Sequence, residues 1–356
     1  MSQFHKLTVT GIKKTIRDAV VVTLQTDAPD AFKFVQGQYL TFRREFHGEE
    51  LRRSYSICAA CNDNVLQVGI KQVDGGAFST WANTDLRVGD QLEAMPPMGN
   101  FFRKTATPVH RHILCIAAGS GITPILSILK TGLKTDTERE FTLIYANRSI
   151  NSIMFREELE DLKNNFMERL SIFHILSDGS QDIELFTGRL DTEKCEKLFN
   201  SCVNPQSIAT VYICGPEAMM INIAHILKVK GFDEQNIRFE LFKSAQPGLA
   251  KQRALTTNNS IANVSARTTV GGETRSFSMT KDISLLEAAI TNNLDAPFAC
   301  KAGVCSTCRA KVLHGEVEMI ANHALEDYEV EAGFVLTCQC YPVSDDIAWD
   351  YDQAGH

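Results

Sequence analysis

Residues 111–132, RHILCIAAGSGITPILSILKTG, place an apolar strand, a glycine turn and the start of a helix in one continuous stretch. The unbroken apolar run predicts a strand buried on both faces, and Pro124 suits the first turn of the helix that follows. Similar patterns alternate further along the chain, as in EFTLIYANR and MFREELEDLKNNF. Such alternation predicts a parallel sheet with helices on both faces.

The segments on either side differ in their sequence pattern. Residues 1–105 hold short alternating or β-branched runs between turn signals such as DGG and PPMGN, which predict an antiparallel β-barrel domain. The α/β parallel-sheet domain is expected at 106–242, and residues 243–260 have the small and polar composition of a linker. Residues 261–356 mix strands and short helices, which predicts a third, α+β domain. The expected fold is therefore multidomain.

Three cysteines lie close together in the third domain, within CKAGVCSTC at 300–308. Cys300, Cys305 and Cys308 follow the spacing C-x4-C-x2-C, and Cys338 comes later in FVLTCQC. This is the spacing of plant-type [2Fe–2S] sites, so these four cysteines are the expected metal ligands. Zinc is the alternative, although structural zinc sites pair two short hairpins and this region has a single C-x2-C. Cys340 competes with Cys338 for the fourth position.

The turn after the first strand of the α/β domain reads Gly119-Ser-Gly121-Ile-Thr123-Pro. Glycines between a strand and a helix let backbone N–H groups approach a pyrophosphate, which the helix N-terminus also attracts. The third glycine of the dinucleotide-binding fingerprint is absent, so an ordinary tight turn is an equal alternative.

Two other strands of this domain end in candidate binding residues. Arg148 follows YAN, where an arginine accommodates a 2′-phosphate, which favours NADPH over NADH. Cys214, Gly215 and Pro216 end the last strand that the pattern predicts, and ligands bind at the carboxyl ends of parallel strands. A surface arginine and a structural cysteine are the alternatives.

In the barrel segment, Arg53, Tyr55 and Ser56 lie on one predicted strand, and Gly76 and Ser79 follow downstream. Together they offer a cation, an aromatic ring and hydroxyl groups to one ligand. Their spacing alone does not identify that ligand.

Composition excludes several classes of protein. The net charge of −7 gives no support for nucleic-acid binding, and motifs of hydrolases are absent. With no apolar run of roughly 18 residues and no signal peptide, we expect a cytoplasmic protein that does not contact a membrane. Residues 261–356 hold 14 Asp and Glu against 6 Lys and Arg, which indicates either a basic partner or a solvated acidic face.

The motifs at 53–56, 119–124 and 214–216 resemble those of the ferredoxin–NADP reductase superfamily, and the tail resembles a plant-type ferredoxin with a β-grasp fold. The domain order is similar to that of reductase components of multicomponent oxygenases. The resemblance implies a flavin, FAD rather than FMN, although some relatives with this motif use FMN. It assigns the flavin contacts to the residues Arg53, Tyr55, Ser56, Gly76, Phe78 and Ser79.

The resemblance also implies a nicotinamide site, an electron path and a partner. Its nicotinamide contacts would be the residues Gly119, Gly121, Thr123, Arg148, Cys214, Gly215 and Pro216. Cys214 and Tyr55 would lie at the site of hydride transfer. Electrons would pass from NADPH through FAD and the [2Fe–2S] cluster to a di-iron oxygenase docked near the acidic ferredoxin domain. A ring-hydroxylating or steroid hydroxylase partner, with NADH as donor, and a non-catalytic zinc adaptor are the alternatives.

Overall fold

The computed structural model describes residues 4–102, 111–179, 181–242 and 264–354. These residues form two compact units. One contains His5–Leu51 and Tyr55–Phe242. The other contains the described part of Lys243–His356 together with Phe4 and Arg52–Ser54.

The N-terminal part of the chain folds into a six-stranded antiparallel sheet in the order β4-β3-β6-β1-β2-β5. Its strands are β1 His5–Ile16, β2 Ala19–Thr26, β3 Tyr39–Phe46, β4 Glu49–Ser56, β5 Leu66–Lys71 and β6 Gln91–Ala94. A bridge between Ile57 and Val68 curls the two edges of the sheet toward each other. Val20, Val22 and Phe42 fill its core, and helix α1, Ala77–Thr84, contacts β5. The prediction of an antiparallel β-rich domain is confirmed.

The next part is a five-stranded, fully parallel sheet in the order β11-β10-β7-β8-β9. Its strands are β7 His112–Ala118, β8 Glu140–Asn147, β9 Leu170–Leu176, β10 Ile208–Cys214 and β11 Ile237–Glu240. The helices between them are α2 Ile122–Thr135, α3 Arg156–Asn165, α4 Thr192–Ser201 and α5 Glu217–Val229. From β7, the strands β8 and β9 are added toward one edge of the sheet, whereas β10 and β11 are added toward the opposite edge. Right-handed crossovers therefore place α2 and α3 on one face and α5 on the other, as predicted.

The C-terminal part is a mixed sheet in the order β13-β12-β18-β14-β16 with a separate antiparallel pair, β15 and β17. The strands are β12 Val264–Val270, β13 Glu273–Met279, β14 Arg309–His314, β15 Val317–Met319, β16 Phe334–Leu336, β17 Cys340–Pro342 and β18 Asp346–Asp350. Helices α6, Leu285–Thr291, and α7, Asp327–Glu331, complete it. Trp349, Ile347 and Leu285 are fully buried in its core. The predicted α+β domain is confirmed.

The predicted linker and domain boundaries fall on residues 103–110 and 243–263, which lie outside the described residues. They stay predictions. None of the described helices combines the length and the apolar composition needed to cross a bilayer.

Candidate functional site

The parallel sheet has its topological switch between β7 and β10, which are neighbours although the chain leaves them in opposite directions. The carboxyl ends of such strands border a ligand-binding crevice. Gly119 and Gly121 follow β7, and Gly215 follows β10. A side chain at Gly121 would place its Cβ 2.2 Å from the carbonyl oxygen of Cys214. The structure therefore brings the predicted Gly121 and Cys214 into direct contact, and this contact requires a glycine.

Gly119 has a different reason to be a glycine. It adopts a left-handed φ of +54°, and a Cβ there would meet nothing within 4 Å. Its carbonyl oxygen accepts a hydrogen bond from the Tyr145 hydroxyl at 2.9 Å, which holds the turn in place. The turn thus leaves open space beside the start of α2, where backbone N–H groups without intrahelical partners attract anions.

Thr123, predicted as a nucleotide contact, is 2% exposed. Its hydroxyl donates to the carbonyl oxygen of Ser120 at 3.0 Å, and its methyl group packs against Gly69 of β5. The side chain therefore holds the turn in its conformation and packs it against the antiparallel sheet. A direct contact between Thr123 and a nucleotide stays a prediction.

Cys214 is fully buried, and burial raises the pKa of its thiol well above the usual range. It is therefore neutral at physiological pH, unlike a nucleophilic cysteine. The neighbouring Gly215 is also tightly packed, because a Cβ there would lie 2.5 Å from the Met219 methyl group and 3.1 Å from Ala118 Cβ. Pro216 stands at the N-cap of α5 with an extended backbone. The end of β10 forms a rigid, uncharged wall of the crevice.

Glu240 is a candidate residue that the sequence did not reveal. It ends β11 and is paired in register with Cys214. Although the residue is partly exposed, its Oε2 atom is buried and has no hydrogen-bond partner among the described residues. Burial raises the pKa of this carboxyl group to about 8. A protonated carboxyl group beside a neutral thiol, at the carboxyl ends of parallel strands, is a feature typical of functional sites.

Arg148 follows β8 and is exposed, as expected for a residue that meets a ligand at the mouth of the crevice. The loop after β9 is bound to it, because the N–H of Asp178 donates to the carbonyl oxygen of Arg148 at 2.9 Å. A carboxylate-bearing residue therefore lies next to the predicted 2′-phosphate site. Sequence alone did not reveal this neighbour, which is 30 residues away along the chain.

On β4, the two-residue period of a strand places Arg53 and Tyr55 on one face and Ser56 on the other. The Tyr55 ring packs against Phe78, with 5.5 Å between ring centroids, and Ser56 is 3% exposed. Ser56 lies on the opposite, buried face of the strand, and the expectation that all three residues contact a flavin stays a prediction.

The predicted residues at the start of α1 are also turned inward. Phe78 is 1% exposed within an aromatic cluster. The Ser79 hydroxyl accepts from the Val73 N–H at 3.2 Å and donates to the Gly76 carbonyl oxygen at 3.1 Å. These side chains shape the turn before the first turn of α1, whose N–H groups are of the kind that bind a pyrophosphate. The predicted flavin contacts of Gly76, Phe78 and Ser79 stay predictions.

The four predicted cysteine ligands form one connected set. The Sγ atoms of Cys300 and Cys305 are 3.1 Å apart, and Cys338 hydrogen-bonds to both Cys300 and Cys308. Cys340 is fully buried in the apolar core of this unit. The geometry supports Cys338 as the fourth ligand.

The ionisation of these thiols indicates the kind of metal centre that fits them. Hydrogen bonds from Cys305 and Cys338 hold the pKa of Cys300 well below its usual range, whereas the bond to Cys300 raises the pKa of Cys305. Three buried thiolates and the partly exposed Cys300 therefore need added positive charge to exist together. A two-iron cluster, which four thiolates hold collectively, fits the set better than zinc does.

Comparisons with known protein families cover most of the chain. Residues 6–102 match the oxidoreductase FAD-binding domain and residues 115–225 the oxidoreductase NAD-binding domain. Residues 268–343 match the 2Fe-2S iron–sulfur cluster binding domain. These matches confirm the expected flavin, nicotinamide and [2Fe–2S] cofactors and leave no role for the zinc alternative.

Several proteins of stated function are similar to this chain over most of its length. A subunit of 1,2-phenylacetyl-CoA epoxidase from Escherichia coli is 40% identical over 358 residues, which span 100% of this chain and 99% of that protein. The ferredoxin reductase component of 3-ketosteroid-9-alpha-monooxygenase from Mycobacterium tuberculosis is 31% identical, over 91% of this chain and 87% of its own. The structure of phthalate dioxygenase reductase has a TM-score of 0.60 at 22% identity, covering 98% of both chains, and shares the fold.

The motifs, the three domain matches and the full-length similarity agree. The chain belongs to the ferredoxin–NADP reductase type of flavin and iron–sulfur oxidoreductases, in the group that includes this component of the Escherichia coli 1,2-phenylacetyl-CoA epoxidase.

Proposed function

We propose that this chain is the reductase component of a phenylacetyl-CoA epoxidase, which passes electrons from NADPH through FAD and a [2Fe–2S] cluster to a di-iron oxygenase. The observation that carries this proposal is the 40% identity with the Escherichia coli epoxidase component along the whole of both chains. The flavin supplies the needed chemistry, because nicotinamides donate electrons in pairs and a plant-type cluster accepts one at a time.

The residues of the crevice support the first step. The glycine turn after β7 and the N-terminus of α2 bind the phosphates of the nucleotide. Cys214 and Gly215 form an uncharged wall beside it, and Glu240 Oε2 holds a proton below about pH 8. These groups exclude water from the place where the nicotinamide meets the flavin. Tyr55, held by Phe78, faces the flavin side of this path.

The preference for NADPH rests on Arg148, with Asp178 acting against it. A guanidinium group attracts a 2′-phosphate, whereas a carboxylate repels it and accepts a hydrogen bond from a 2′-hydroxyl. We expect Arg148→Ala to raise the KM for NADPH about tenfold and to leave the KM for NADH nearly unchanged. Asp178→Asn should lower the KM for NADPH relative to the KM for NADH. An unchanged KM for NADPH in Arg148→Ala would show that another residue sets the preference.

The partner would dock at the acidic C-terminal unit. Helix α7 exposes Tyr328 at 53% and Val330 at 38%, beside the exposed carboxylates of Asp327 and Glu331. An aromatic and apolar surface edged by negative charge suits a partner with a basic rim. Electron transfer to the oxygenase should therefore slow as ionic strength rises, and Asp327→Lys should slow it at low salt without changing flavin reduction.

The decisive experiment is reconstitution with the oxygenase components of a phenylacetyl-CoA epoxidase. NADPH oxidation coupled to consumption of phenylacetyl-CoA supports the proposal. Cys308→Ser, the matched control, should retain reduction of the flavin by NADPH and lose substrate turnover. If NADPH oxidation supports substrate turnover by a steroid hydroxylase and none by the epoxidase, the proposed partner is wrong. A cytoplasmic location stays a prediction.

A further inference from the structure

Gln339 lies between Cys338 and Cys340 and is 7% exposed. Its side-chain Nε2 atom donates two hydrogen bonds, to the carbonyl oxygen of Lys301 at 3.0 Å and to that of Cys338 at 3.1 Å. It therefore ties the loop that carries three cluster cysteines to the turn that carries the fourth. This buried amide belongs to the cysteine region and not to the flavin or nicotinamide site.

The loop that Gln339 holds has an unfavourable backbone conformation. Lys301 has a left-handed φ of +50°, which costs about 1 kcal/mol for a residue with a Cβ. Gly303 has a φ of +72°, and a Cβ there would lie 2.8 Å from the Ala321 carbonyl oxygen and 3.0 Å from Gln339 Cγ. The loop is thus packed directly against Gln339 and needs outside contacts to keep its shape.

One peptide group connects Gln339 with a cluster ligand. The carbonyl oxygen of Lys301 accepts from Gln339, and the N–H of the same peptide, which belongs to Ala302, donates to Cys300 Sγ at 3.3 Å. A peptide group is planar, so fixing its carbonyl oxygen also fixes the direction of its N–H. Hydrogen bonds to the sulfurs are among the factors that set the reduction potential of a cluster.

We propose that Gln339 is a positioning residue for the [2Fe–2S] cluster, which orients the Lys301–Ala302 peptide so that its N–H donates to Cys300 Sγ. The inference rests on the cluster domain and not on the identity of the oxygenase. An N–H···S bond stabilises the reduced, more negative cluster more than the oxidised one. Loss of the amide therefore lowers the reduction potential and loosens the loop around the metal.

The test uses Gln339→Met in the full-length protein, because methionine keeps the length of the side chain and removes its N–H donors. Anaerobic redox titration followed by EPR gives the cluster potential, and the decay of cluster absorbance in EDTA gives the rate of cluster loss. We expect a lower potential and a loss rate about 30-fold faster, as two hydrogen bonds of ordinary strength imply. Gln67→Met is the matched control, since it removes a glutamine hydrogen bond to Thr23 in the other unit.

A wild-type potential and a wild-type loss rate in Gln339→Met would overturn the proposal. If that variant assembles no cluster, Gln339→Asn keeps the amide on a shorter side chain. Its potential should then lie below that of the wild type, with normal flavin content, and an unchanged potential would again refute the role. Both measurements proceed without an oxygenase, so a wrong partner assignment would leave their outcome intact.

Discussion

Replacement of Glu240 by glutamine should make the protein more stable at pH 8 and have little effect at pH 5. Burial raises the pKa of this carboxyl group to about 8 in the folded protein, against about 4.3 in an unfolded chain. The folded state therefore keeps a proton that the unfolded state releases. The associated stability is fully present below about pH 4.3 and is lost progressively as the pH rises through about 8.

The magnitude follows from the difference between the two pKa values. Each pH unit within that window weakens the wild type by about 1.4 kcal/mol, which amounts to about 3.5 kcal/mol between pH 5 and pH 8. Glutamine has the same shape and does not ionise, so the variant does not lose stability as the pH rises. For a unit of this size, about 2 °C of melting temperature correspond to 1 kcal/mol, which predicts a difference of about 7 °C at pH 8.

Thermal unfolding of the FAD-loaded protein, without nicotinamide, measures this difference at intervals from pH 5 to pH 9. Glu196→Gln is the control, because Glu196 is an exposed carboxylate on α4 of the same unit. The melting temperatures of the two glutamine variants should differ only above about pH 5. A gap between Glu240→Gln and the wild type that does not change with pH would refute the proposed burial of a protonated carboxyl group.

Three further substitutions test the packing around the sites. Gly121→Ala should lower stability by about 1–3 kcal/mol in urea unfolding and weaken nucleotide binding in fluorescence titration, because the new Cβ would lie 2.2 Å from the Cys214 carbonyl oxygen. Lys130→Met should reduce the free energy of unfolding by about 1–3 kcal/mol, since the buried ammonium group bonds Glu158 at 2.6 Å; equal urea midpoints would contradict this. Gly303→Ala should lower iron and sulfide content per chain while flavin content stays normal, and full cluster occupancy would contradict the tight packing of that loop.

Local sequence patterns were enough for the parts of the fold that depend on neighbouring residues. The strand, glycine turn and helix at 111–132 appear as β7 and α2, and the four spaced cysteines come together as one set. Strand β11 was not predicted, because four residues carry too little pattern to distinguish a strand from a loop. Its last residue, Glu240, becomes notable only through its pairing with Cys214, and nothing in either segment predicts that register.

Side-chain direction was the other feature that the motifs did not predict. A motif specifies which residue types occur together, but the period of the strand turns Ser56 away from Tyr55. Phe78 and Ser79 likewise point into the protein and shape the turn before α1. In each case the residue types fit a binding site, but the motif does not specify which side chains face the ligand and which pack inside the protein.

A common physical reason connects the glycine turn, the start of α1 and the cysteine loop. Phosphate oxygens and cluster sulfurs are both anionic acceptors, and rigid backbone N–H groups bind them without the entropy loss of ordering long side chains. Side chains such as Thr123, Ser79 and Gln339 then serve to hold those backbones in place, through hydrogen bonds to carbonyl oxygens. Substitutions at these supporting positions should therefore alter affinity or reduction potential through the backbone groups that these side chains hold in place.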